Sequence, residues 1–74
     1  MLTLDTLIKV IRMVHVEFPA MQDLLRDIYA MAEDEIEDGG SEAHEVELAI
    51  DAIRSTGYQL FGDEFTTMFD KVNV

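Results

Sequence analysis

An all-α fold of three to four short helices is what this chain predicts, built about a helical hairpin that turns at Gly39-Gly40. Three observations carry that expectation. Apolar residues recur at three- and four-residue steps on both sides of the glycine pair, as one buried helical face requires. Residues that cap helices stand where those patterns begin, at Thr3, Ser41 and Asp63. No Pro/Gly/Ser-rich linker or internal repeat divides the chain, so residues 1–74 read as a single helical domain.

In the first helix Thr3 is the expected N-cap, and Asp5 in the first turn complements the helix dipole. Leu4, Leu7, Ile8, Ile11, Val14 and Phe18 then trace one face. Val10, Met13 and Val16 lie off that stripe and leave Lys9, Arg12 and Glu17 as a narrow polar strip. The β-branched residues between 7 and 16 would also suit a strand, but strict alternation fails at Leu7-Ile8 and Val10-Ile11.

Pro19 ends this helix or opens the next, since a proline at the first helical position loses no bond it would have made. The second helix is expected from about Pro19 to Glu37, with Met21, Leu24, Leu25, Ile28, Ala32 and Ile36 inward. Asp23, Arg26 and Asp27 face outward. Gly39 or Gly40 supplies the left-handed C-cap.

Ser41 caps the third helix, whose stripe is Val46, Ala49, Ile50 and Ile53. That stripe can continue through Gly57 to Leu60 and Phe61, or break there, because glycine costs about 1 kcal/mol in a helix interior. Gly62-Asp63 reads as a stop and a new N-cap. Phe65, Met68, Phe69 and Val72 form a short last helix whose aromatic face should cover an open end of the hairpin.

The composition narrows the function. Chains below roughly 80 residues need a disulfide, a metal, unusual packing or a partner subunit. With no cysteine and 49% apolar residues, this one points to oligomerisation. A helix apolar around so much of its circumference is normally enclosed by neighbours. Leu7, Val10, Ile11, Met13, Val14 and Val16 are therefore the expected contact between copies, most simply a homodimer.

The formal charge is −11, from 16 acids against 5 bases. Such a field repels nucleic acid and anionic lipid and attracts basic surfaces. No apolar run reaches the ~18 residues of a membrane span. The opening residues lack the basic region and small-residue cleavage site of a secretion signal, so cytoplasmic residence is expected. From Glu33 to Asp51 there are nine acids and no Lys or Arg. Glu33, Asp34, Glu35, Glu37 and Asp38 lie where the dipole disfavours acids, with Glu42, Glu45 and Glu47 just past the turn. This corner is the candidate site for an unidentified basic protein partner.

Other chemistry fares less well. Counted from Asp34, the run to Glu45 approaches a calcium loop, with Asp38, Gly39, Glu42 and Glu45 in register. Ile36 stands where an oxygen ligand is required, and Ser41 replaces the apolar anchor. His15 and His44 lack supporting ligands at metal-binding spacing. Carboxylate pairs occur throughout, which removes their diagnostic value for acid–base catalysis. No phosphate loop or nucleophile elbow is present, so no catalytic residue, metal or cofactor is assigned and a non-enzyme is expected. Met1, Met13, Met21, Met31 and Met68 could suit an adaptable groove, although core filling accounts for most of them.

In size, in lacking cysteine, and in joining apolar helices to acids as in Ala32-Glu33-Asp34-Glu35-Ile36-Glu37-Asp38, the chain resembles small accessory proteins of temperate phages. These belong to the lambdoid group and are encoded between the exonuclease and excisionase genes. The resemblance extends along the whole chain without a shared motif, so it assigns no residue a role. It implies a non-enzymatic protein that binds a host factor and alters host replication or the choice between lysis and lysogeny. The leading expectation is thus a dimeric interaction protein docking its acidic corner on a basic surface. The alternatives are a DNA mimic that occupies a nucleic-acid groove, and an antitoxin-like or chaperone-like subunit of a heteromer.

Overall fold

The structure is a computed structural model and describes residues 2–72, with Val72 by its backbone alone. Met1 and the Val72 side chain named above lie outside the described residues. The elements are α1 (Leu4–Glu17), a 3₁₀ turn (Pro19–Met21), α2 (Gln22–Glu37), α3 (Glu42–Phe61) and α4 (Asp63–Val72). The four helices form an all-α fold, with no strand among the described residues. Helix α1 touches each of the other three.

Local chemistry sets the helix ends. The Thr3 hydroxyl accepts from the Thr6 N–H at 3.3 Å while the Thr3 N–H donates to the Thr6 hydroxyl at 3.3 Å. This reciprocal pair closes the start of α1. Pro19 opens the 3₁₀ turn rather than α2 itself, and the α-helix begins at Gln22. At the other end of α2 the Gly40 N–H donates to the Glu35 carbonyl at 2.9 Å and the Gly39 N–H to the Ile36 carbonyl at 3.1 Å. With Gly39 at φ +103°, these bonds make a Schellman cap, which a residue with a Cβ would strain. The Ser41 hydroxyl accepts from the His44 N–H at 3.4 Å and starts α3. Asp63, expected as a cap, is instead the first residue inside α4.

The core joins Leu7, Val10 and Val14 of α1 to Met21, Leu25 and Ala32. Val46, Ala49 and Ile53 of α3 and Phe65 and Phe69 of α4 complete it. The packed face of α1 is rotated toward Val10 relative to the sequence expectation, with Ile8 and Ile11 at its margin. Leu24 and Leu60, expected inside, are exposed.

Helix α3 is continuous through Gly57, and the reason is tertiary. A Cβ at Gly57 would lie 2.3 Å from the Phe65 ring, so the bare backbone lets α4 close against α3. The helix loses about 1 kcal/mol by carrying glycine. Complete burial of a phenylalanine returns about 1.5–3 kcal/mol, so the exchange favours the fold. Phe65 also packs 5.2 Å from Phe18 and 5.5 Å from Phe69 by ring centroids, and Phe18 lies 4.6 Å from Phe61. This aromatic cluster closes one end of the bundle, as expected of the last helix.

Candidate functional site

Three helix ends meet at the opposite end of the molecule: the C-terminus of α2 and the N-termini of α1 and α3. The first turn of α3 offers partial positive charge, and Glu42 and Glu45 sit there favourably. Glu42 also reaches across the bundle, where its carboxylate accepts from the Leu4 N–H at 2.8 Å. An orphan donor at the start of α1 is thereby satisfied by a residue from α3. Glu42, expected in a partner-binding role, is exposed and also links α1 to α3. Nothing local in the sequence signals that bond.

Glu33, Asp34, Glu35, Glu37, Asp38 and Glu47 are all exposed, whereas Glu45 is half-buried beside Gly40. Four of these acids ride the last turns of α2 and Asp38 is its C-cap, all at the negative end of its dipole, and no basic residue in the last turn offsets them. The single ion pair among the described residues joins Arg54 to Asp70 at 3.7 Å, away from this corner. The corner is therefore a patch of carboxylates without a paired cation among the described residues.

A groove opens beside it. Ile28, Met31, Ala32 and Glu35 of α2 face Glu45, Leu48, Ala49 and Ala52 of α3, enclosing about 260 Å³. Met31 is 68% exposed and Leu48 50% exposed on its two walls. Leu48 and Ala52 were not singled out as a binding surface from sequence. Their signal is a second apolar row one step around α3 from Val46 and Ile53.

The expected dimer surface on α1 divides. Leu7, Val10 and Val14 are packed inside the chain, and Ile11 is half-buried against α2. Burial within one subunit removes those three from any contact surface, because exposing them would dismantle the core. Met13, 49% exposed, and Val16, 76% exposed, remain on the outside. They border Met68 with Glu17 and Lys71 alongside.

The calcium-loop register has no loop to occupy. Asp34 to Glu37 are helical, Ile36 is half-buried, and only residues 38–41 lie between α2 and α3. Among the described residues no three His, Asp or Glu side chains are grouped to hold a metal ion. Nor is any helix among them long and apolar enough to cross a membrane. The chain matches no protein-family model, and no curated protein or solved structure matches it significantly.

Proposed function

We propose that this chain is a non-enzymatic interaction protein whose acidic corner docks on a basic surface of a partner protein. One observation carries the reading: α2 ends in exposed carboxylates that oppose its own dipole and are paired with no cation among the described residues. Each such placement costs a helix about 0.3–1 kcal/mol. Local rules broken at the expense of stability are expected at functional surfaces. Action on a host factor, as the resemblance to lambdoid accessory proteins implies, belongs to the same proposal. The acids gather at one corner rather than along the 35 Å length of the molecule, which favours a local docking patch over imitation of duplex phosphates.

Contact with a second copy, within the same proposal, narrows to Met13, Val16 and Met68. A standard interface buries about 800 Å² per partner. That is roughly one-sixth of the 4973 Å² surface of the described chain, more than three side chains provide. Self-association through this patch is therefore weak and concentration-dependent.

Replacing Glu33, Glu35 and Glu37 by Gln and Asp34 and Asp38 by Asn tests the docking surface. Proteins captured from a host lysate by the native chain in low salt should be released by salt and lost with the neutralised variant. An unchanged capture profile refutes the acidic corner. Sedimentation of a Met13→Gln, Val16→Thr variant separately tests the copy contact, which fails if the native protein stays monomeric at high concentration.

A further inference from the structure

We infer that the groove between α2 and α3 receives an amphipathic helix presented by a cationic partner. The inference rests on the docking reading above and names the seat and the shape of the docked element. The groove is lined by α2 and α3 alone, so no other part of the described chain covers it. Its floor is Ala32 and Ala49, with Ala52 exposed at its rim, and these short side chains let another backbone approach closely. Met31 and Leu48 form adaptable apolar walls.

Size and charge choose the occupant. At about 260 Å³ and open to solvent, the groove falls below the ~300–1,000 Å³ of small-molecule pockets. From Ile28 to Glu35 it runs about two helical turns, the length over which a docked helix sets anchors at i, i+3 or i+4 and i+7. Asp27 and Asp34 stand four residues before and three after Met31 and therefore share its edge of α2. Glu35 and Glu45 line the end nearest the turn. Of the bases on these two helices, Arg26 faces α1 and Arg54 is paired with Asp70 on α4. A row of apolar contacts with Asp27 and Asp34 along the α2 edge and Glu35 and Glu45 at one end fits a helix with apolar residues on one face and Lys or Arg on its flank. A second copy of this chain, itself at −11, would bring like charge to the same rim.

The test uses isotope-labelled protein and a synthetic Leu/Lys peptide of about five helical turns, with Leu at helical spacing. A scrambled peptide of the same composition and a Leu/Glu counterpart serve as controls. The helical Leu/Lys peptide should shift the amide signals of Met31, Leu48, Ala49 and Ala52. A Met31→Gln, Leu48→Gln variant should weaken its binding by at least about tenfold. Both side chains are exposed, so that variant should unfold in urea like the native chain. Ala52→Gln, which puts a longer side chain on the groove rim, should weaken binding through an independent position.

If the scrambled peptide binds equally and the variants bind like the native chain, charge alone recruits the partner. The groove inference is then overturned while the acidic-corner reading survives. If no cationic peptide binds in low salt, both fall. Groove signals that shift with protein concentration in the absence of peptide would give the seat to a second copy and overturn the inference.

Discussion

Where α3 turns into α4, Phe18, Phe61, Phe65 and Phe69 form one ring cluster, and Phe65 lies on the bare backbone of Gly57. Where α2 turns into α3, the side chains are carboxylates, mostly in water, and order comes from backbone caps and the Glu42–Leu4 bond. The aromatic end is stabilised by shape, since its burial works only if each ring has its space. The acidic end tolerates repulsion because water and salt screen it. A bundle this small thus closes one end with packed rings and leaves the surface of the other free to carry charge. Substitutions at the two ends should accordingly differ in size and, in one case, in sign.

The aromatic end should break hardest. Phe65→Ala removes a fully buried ring and should cost about 3–5 kcal/mol, enough to abolish cooperative urea unfolding in a domain of this length. Gly57→Ala should cost about 1–2 kcal/mol, because overpacking against the ring exceeds the gain in helix propensity. In a Phe65→Leu background that penalty should shrink or reverse. An unchanged penalty would show that the Gly57–Phe65 contact is not its source.

Between the two regimes lies Glu42. Glu42→Ala should destabilise by about 0.5–1 kcal/mol, the scale of a lost helix cap. Hydrogen exchange should quicken at the Leu4 amide, with the Schellman turn little changed. Equal exchange at Leu4 in both proteins would mean that the long-range cap contributes nothing.

The smallest effect has the opposite sign. Glu37→Gln with Asp38→Asn removes two charges from the negative end of α2 and should raise stability by a few tenths, about 0.3–1 kcal/mol in all. Added salt should raise the melting temperature of the native chain and do so less in this variant. A variant that melts lower than the native chain would contradict the view that these acids oppose the fold.

Much of the fold was legible because its signals are local. The capping box at Thr3, the cap at Ser41 and the Gly39 turn depend on residues within a few positions of one another. The acidic corner was legible for the same reason, since a run of like charge in a short stretch lands at one place whatever the packing. The groove was less so. Met31 was one of five methionines that could suit a groove or fill the core, and Leu48 drew no reading at all, because a wall facing solvent carries the same periodicity as a wall facing a neighbour.

By itself the sequence determined the helical class, the hairpin turn and the placement of charge, all set by steps of a few residues along the backbone. Only the tertiary structure decided which residues of the apolar α1 lie inside. A helical period fixes faces relative to one another, whereas rotation about the axis is chosen by the neighbours; here they select Leu7, Val10 and Val14 and leave Met13 and Val16 outside. The same dependence on distant partners gave Gly57 its purpose opposite Phe65 and gave Glu42 its bond to Leu4.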